Sequence, residues 1–241
     1  MKHSYTKFYV ILRTLLIMFL SSECIAQSKA ESLGYLDSLK TELQKTWPNN
    51  NTVNLVFHGH SVPAGYFKTP EVNTLAAYPY LVLKKVKEQF PMAVVNSIVT
   101  AIGGEQSAQG AKRFKEEVLI HRPDVLFLDY ALNDRRIGLE RAKIAWEKMI
   151  LEALNQEVKV ILLTPTPDLK EPILSNNALL EQHSQQIREL AAKHDVGLVD
   201  SYALFEKIAK TENLQLFMAQ SNHINKKGHK LVADAIMVYF D

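Results

Sequence analysis

A serine stands just past an apolar strand in the stretch Leu55 to Gly65, LVFHGHSVPAG. Leu55, Val56 and Phe57 read as the buried strand. Gly59, His60 and Ser61 follow at once, with Pro63 and Gly65 beyond. Open α/β sheets form their sites at the carboxyl ends of strands, although the same residue types also suit an ordinary turn. A serine hydroxyl is a weak nucleophile at neutral pH and needs an adjacent base. Histidine suits that task because its pKa lies near neutrality. Three more polar points fall at strand ends or in a late loop: Gly103-Gly104, Asn133 and His223. His229 competes with His223 but falls inside the last predicted helix. His58 and His60 flank Ser61, yet no third residue has recognisable metal-ligand spacing, so neither a metal nor another cofactor is expected.

The elements that must position these residues alternate. Ala30 to Trp47 reads as an amphipathic helix, with Leu33, Leu36, Leu39 and Leu43 at three- and four-residue spacings. Strands are predicted over Val53–Phe57, Ala93–Val99, Asp124–Tyr130, Val158–Leu163 and Gly197–Val199. Helices are predicted over Tyr78–Phe90, Ser107–His121, Leu139–Leu154, Asn177–His194, Tyr202–Lys210 and Lys227–Phe240. This alternation implies βαβ units, a parallel sheet and helices on both of its faces. The stretches Tyr66–Ala77, Thr164–Asn176 and Glu212–Lys226 remain irregular. Long loops in a compact domain often carry function, and two of these follow strands, so they can line one rim.

Four blocks then stand in order along the chain: Gly59-His60-Ser61, Gly103-Gly104-Glu105-Gln106-Ser107, Ala131-Leu132-Asn133-Asp134 and Asn222-His223-Ile224-Asn225. The sequence resembles the SGNH hydrolases, also called the GDSL esterase and lipase family, over nearly all of the chain after its first 26 residues. The resemblance implies an α/β fold: a three-layer α/β/α sandwich with a five-stranded parallel sheet, flavodoxin-like. It implies a carboxylic ester hydrolase with Ser61 as nucleophile and His223 as base. It assigns the oxyanion hole to the backbone N–H groups of Ser61 and Gly104 and the side-chain amide of Asn133. Such donors meet the charge that acyl transfer builds on the carbonyl oxygen. The Gly-x-Ser-x-Gly elbow of the α/β-hydrolases is absent, because Pro63 stands where that motif needs glycine.

Two positions depart from the family pattern. The first block usually reads Gly-Asp-Ser, and here position 60 is histidine. The family usually places an aspartate three residues before the base, and here that residue is Gln220. A neutral amide can orient an imidazole but cannot supply the negative charge that stabilises an imidazolium. The expectation is a Ser61–His223 dyad, oriented by Gln220 or a main-chain oxygen, with His60 serving the local network. Glu105 and Asp134 are the other nearby acids.

The amino terminus carries Lys2, Lys7 and Arg13, an apolar run from Phe8 to Leu20, and Cys24-Ile25-Ala26 before Gln27. This is the pattern of a cleaved signal peptide, giving residues 1–26 as signal and 27–241 as one esterase domain. The expected location is secreted or periplasmic. A lipoprotein anchor through Cys24 fits less well, because Glu23 stands where a small residue is needed. Without those residues the chain keeps 25 basic and 25 acidic side chains and no cysteine. That balance argues against a nucleic-acid partner held by charge and against a polybasic membrane surface. The substrate implied by exported family members is a small acyl ester, acetyl above all, on a carbohydrate, with the polar loop Tyr66–Ala77 as a contact. The alternatives are a lysophospholipase or thioesterase, for which Leu169–Leu174 offers little acyl channel, and a non-catalytic carbohydrate-binding relative. A nucleotide-binding protein is disfavoured by the lack of a Gly-rich fingerprint after the first strand.

Overall fold

The computed structural model describes residues 34–241. Its sheet has five strands: β1 (Thr52–Gly59), β2 (Val94–Val99), β3 (Val125–Asp129), β4 (Lys159–Leu163) and β5 (Gly197–Val199). They run in the order β2-β1-β3-β4-β5, every pair parallel. All three α/β/α layers of the expected fold are present.

Side chains alternate across a pleated strand, and here both faces are apolar. Leu55, Phe57, Val125, Phe127, Ile161 and Leu163 point into one core. Val56, Leu126, Leu128, Val160 and Leu162 point into the other. The first core is covered by α1 (Asp37–Leu43), α2 (Tyr78–Gln89), α7 (Ser201–Thr211) and α8 (Lys226–Met237). The second is covered by α3 (Ser107–Glu117), α5 (Leu139–Leu154) and α6 (Leu179–His194). Phe57 and Phe127 are register partners and stack at 4.4 Å between ring centroids. Each such fully buried ring stabilises the fold by roughly 1.5–3 kcal/mol relative to exposure.

Three predicted elements need correction. The helix over Ala30–Trp47 holds as α1 only for Asp37–Leu43, and its first residues lie outside the described ones, as does the signal segment 1–26. Ala131-Leu132-Asn133-Asp134, assigned to no element from the sequence, forms one helical turn, α4 (Ala131–Asp134). The stretch Glu212–Lys226, read as irregular, contains an antiparallel hairpin of β6 (Met218–Gln220) and β7 (His223–Ile224). Strands of three and two residues are too short for alternation to announce them.

This hairpin matters for position. Its register pairs Gln220 with His223, so both side chains meet at its end. Asn225 then caps α8, its side chain accepting from the N–H groups of Lys227 and Gly228 at 2.9 and 3.3 Å. The cap fixes the chain two residues beyond His223. The three irregular stretches close on this point. The Gln220 side-chain oxygen accepts from the Thr69 N–H at 3.1 Å, and the Ser221 carbonyl accepts from the Leu169 N–H at 2.7 Å.

Candidate active site

Ser61 lies two residues past the end of β1, and His223 reaches it from the β6–β7 hairpin, 162 residues away in sequence. The Ser61 Oγ lies 2.8 Å from His223 Nε2. Both are nearly buried, with 7% and 5% of their surface exposed. The other ring nitrogen, Nδ1, lies 2.9 Å from the Phe67 carbonyl oxygen. A carbonyl only accepts, so this contact puts the proton on Nδ1 and leaves Nε2 free to accept from the serine. Burial lowers the His223 pKa from its ordinary 6.5; the Phe67 carbonyl pulls it back up and His60 adds to the lowering. The ring is therefore neutral near pH 7, as a base must be.

The Gln220 amide nitrogen also lies 2.8 Å from Nδ1. Its side-chain oxygen is committed to Thr69 and the amide nitrogen donates to Asn222 Oδ1 at 3.1 Å. Its remaining N–H can use Nδ1 only when Nδ1 is bare, so it competes with the Phe67 carbonyl for the tautomer. Neither Glu105 nor Asp134 reaches the imidazole as a third member. The Glu105 carboxylate binds Arg113 and the Tyr130 hydroxyl. Asp134 accepts from the Ser107 N–H and the Trp146 indole, each at 2.8 Å.

His60 turns beneath the serine. Its Nδ1 accepts from the Val62 N–H at 3.2 Å, and its Nε2 lies 3.2 Å from Asp129 Oδ1. The second contact is within ion-pair distance but not aligned as a hydrogen bond. Asp129 Oδ2 accepts from the Tyr78 hydroxyl at 2.9 Å. Asp129 gives a physical reason for histidine at position 60: an aspartate there would face a second buried carboxylate. His229 is fully buried in packing. Its ring stacks on Phe67 at 4.8 Å and its Nδ1 accepts from the Tyr78 N–H at 3.2 Å.

The second block holds two glycines that differ in conformation and surroundings. Gly104 has φ +79°, a conformation glycine adopts without strain, and a Cβ there would meet nothing within 4 Å. Gly103 has no such φ, and a Cβ on it would lie 3.1 Å from the Tyr66 ring. Asn133 is buried at the end of α4, and its Nδ2 donates to the Glu105 carbonyl at 2.9 Å. That bond uses one of its two amide protons. Among the described residues, neither the Ser61 nor the Gly104 backbone N–H has a hydrogen-bond partner. Ser61, Gly104 and Asn133 follow the carboxyl ends of β1, β2 and β3 and so share one rim of the sheet, where the Ser61 hydroxyl meets a neutral His223 ring. Such an arrangement can attack a carbonyl and hold the resulting oxyanion.

A family model, the GDSL-like lipase/acylhydrolase family, matches residues 57–231. The chain belongs to this family. This acylhydrolase is thus a carboxylic ester hydrolase of the SGNH type. Comparison with curated proteins gave no match. Among solved structures, its fold is similar to an acetylxylan esterase from Geobacillus stearothermophilus, with TM-score 0.68 and 19% identity over 78% of this chain and 94% of that one. It is also similar to a two-domain esterase active on acetylated mannans, with TM-score 0.70 and 19% identity over 87% of this chain and 53% of that one. At such identities the likeness is one of fold.

Two concavities of the acylhydrolase, of about 370 and 330 Å³, lie away from Ser61, beside α6 and between α3 and α5. Among the described residues no cluster of His, Cys, Asp or Glu could hold a metal ion, and no helix is long and apolar enough to cross a membrane. The sequence pointed to a main-chain oxygen on His223 without marking Phe67, and it did not reveal Asp129 or Arg113. Asp129 carried a signal, as a charged residue closing an otherwise apolar strand. A main-chain oxygen carries none.

Proposed function

We propose that this acylhydrolase is an exported serine esterase that removes small acyl groups, acetyl above all, from an acetylated carbohydrate. The observation that carries the reading is the 2.8 Å contact between Ser61 Oγ and His223 Nε2, with Nδ1 held by a main-chain oxygen. In the proposed reaction His223 takes the Ser61 proton as Oγ attacks the ester carbonyl carbon. The oxyanion is met by the N–H groups of Ser61 and Gly104 and by the Asn133 amide. His223 then returns the proton to the leaving alcohol as the tetrahedral intermediate collapses to an acyl-Ser61. Water, activated by the same imidazole, releases the acid and restores the serine.

Support for the substrate class comes from the neighbours, which are esterases of acetylated xylan and mannan. Solved variants of the Geobacillus enzyme include catalytic mutants at a serine, at a histidine and at an aspartate three positions before that histidine. Gln220 precedes His223 by the same interval, which supports reading Gln220 as the replaced third member. Tyr66 supports a small acyl group: its ring packs on Gly103 and lies 6.2 Å from the His223 ring, so it walls the space beside the nucleophile. Export rests on the amino-terminal pattern of residues 1–26.

The test is acetate release from acetylated xylooligosaccharides and mannooligosaccharides, beside hydrolysis of a lysophospholipid and a long-chain acyl thioester. Acetate release far above the other two is the expected result. Preference for either long-chain substrate would replace the carbohydrate esterase with the corresponding lipase or thioesterase.

A further inference from the structure

The mechanism leaves unused a buried polar chain behind the Gly104 loop. Thr100 directly follows β2 and Ser107 begins α3, and the loop between them carries Gly104. One guanidinium ties both ends of this loop. Arg113, on α3, donates from Nη2 to the Thr100 carbonyl at 2.7 Å and to Glu105 Oε2 at 2.5 Å, and from Nε to Glu105 Oε1 at 2.8 Å. Its side chain is 14% exposed and that of Glu105 is 7% exposed. A paired, largely buried fork of this kind fixes geometry more than it adds stability.

Glu105 also holds the second donor. Its backbone carbonyl accepts from Asn133 Nδ2 at 2.9 Å, and its Oε2 accepts from the Tyr130 hydroxyl at 2.7 Å, three residues before Asn133. Behind Tyr130 the donors run in one direction. The Thr100 hydroxyl lies 2.9 Å from His58 Nδ1, and His58 Nε2 lies 2.9 Å from the Tyr130 oxygen. His58 is neutral there, because burial first and the Arg113 charge second lower its pKa to about 3. Thr100 can therefore donate to His58, His58 to Tyr130, and Tyr130 to Glu105. Gly110 makes room for the join: a Cβ on it would lie 2.2 Å from the Tyr130 hydroxyl oxygen.

We propose that Arg113 and Glu105 are positioning residues that fix the Gly104 N–H and the Asn133 amide at the spacing the oxyanion needs. The proposal rests on the reading of Ser61 as nucleophile. Neither residue touches the reacting atoms. Both donors are attached to Glu105, one through the peptide bond and one through its carbonyl, and Glu105 is attached to the sheet through Arg113. A misplacement of about 1 Å near the reacting centre can cost ~100-fold in rate.

The test compares the wild-type chain with Arg113→Lys, which keeps the charge but loses the fork, and with Glu105→Gln, which keeps the shape but loses the charge. Each folded variant is measured for kcat and KM on p-nitrophenyl acetate and for the inhibition constant of methylboronic acid, which forms a tetrahedral adduct on a serine. The proposal expects kcat to fall about 10-fold or more, with KM changed less than about 3-fold and the boronate constant rising alongside. A variant that merely loses folded protein lowers apparent kcat and leaves the boronate constant unchanged; that result overturns the positioning role. So does unchanged kcat in both variants. Wild-type turnover that survives Ser61→Ala would instead overturn the serine assignment, and this proposal with it.

Discussion

The Phe67 carbonyl oxygen lies 2.9 Å from Nδ1 of His223, on the side of the ring facing away from Ser61. A main-chain oxygen thus stands where a triad would place a carboxylate. It selects the base-competent tautomer but brings no full negative charge to the imidazolium. The Gln220 amide favours the opposite tautomer from 2.8 Å. Replacing Gln220 with glutamate keeps the reach, supplies an acceptor and supplies the charge. Gln220→Glu is expected to raise kcat on p-nitrophenyl acetate by about 10-fold. A fall in kcat would mean that the amide already serves the base better than a carboxylate.

The same ring sets the pH dependence. Because burial lowers the His223 pKa, the base is already neutral below pH 6.5. The kcat/KM profile should hold its plateau past that value on the acid side and fall only as His223 gains a proton. In Gln220→Glu the acid limb should move to higher pH, since a neighbouring carboxylate favours the protonated ring. A wild-type limb above 6.5 would contradict the buried, neutral imidazole.

His60 and Asp129 should behave as a coupled pair. His60→Asp restores the usual family residue, yet it puts a second carboxylate beside Asp129, whose Oδ1 lies 3.2 Å from His60 Nε2. That variant is expected to lose about 3 kcal/mol or more in urea unfolding. Adding Asp129→Asn should recover much of the loss, giving a coupling energy of about 1 kcal/mol or more in a double-mutant cycle. Purely additive effects would mean that the two residues do not constrain each other.

Stability as a whole should decline with acid before the carboxylates titrate. Burial lowers His58 and His229 to about 3 and His183 to about 4, with the Arg113 charge adding to it at His58 and the Arg135 charge at His183. In the unfolded chain these residues take up protons near pH 6.5, while the native state does not. Their contribution is full above pH 6.5 and is lost as pH falls, at roughly 1.4 kcal/mol per pH unit per histidine until the folded pKa is reached. Urea unfolding between pH 6.5 and 5 should show that slope, and His183→Leu should reduce it by about one proton. An unchanged slope in that variant would show that His183 is charged in the native state.

Tyr66 should limit acyl length. Its ring rests on Gly103 and lies 6.2 Å from the His223 ring. Tyr66→Ala is expected to raise the ratio of p-nitrophenyl butyrate to acetate turnover by about 10-fold, the order of discrimination that a methylene or two provides in an apolar pocket. An unchanged ratio would place the acyl group elsewhere.

The layers and the order of the blocks were legible because they rest on local signals. Apolar runs such as Val125–Leu128 mark strands buried on both faces, and Gly104 and Asn133 sit where strand ends put them. Gln220 and a main-chain oxygen beside His223 were both expected, but which main-chain oxygen was not legible. Phe67 acts through its carbonyl, which every residue has, and it meets His223 only because the loop after β1 and the β6–β7 hairpin close on each other across 156 positions. Arg113 lies on the helix predicted over Ser107–His121, and nothing in its spacing marks it. Its role depends on Thr100 and Glu105 being drawn under α3, which is a tertiary fact. His60 was visible as a departure, but its reason, Asp129, lies on a strand that pairs with β1 only in the fold.

The central claim is that Ser61 and His223 together carry out ester hydrolysis without a carboxylate on the ring. The most direct measurement is p-nitrophenyl acetate hydrolysis by the chain beside its Ser61→Ala and His223→Ala variants, each verified as folded by circular dichroism. Turnover should fall by roughly 1,000-fold or more in both single variants, and no further in the double variant, because the two residues act as a unit. Turnover that persists in Ser61→Ala, or losses that multiply in the double variant, would contradict it.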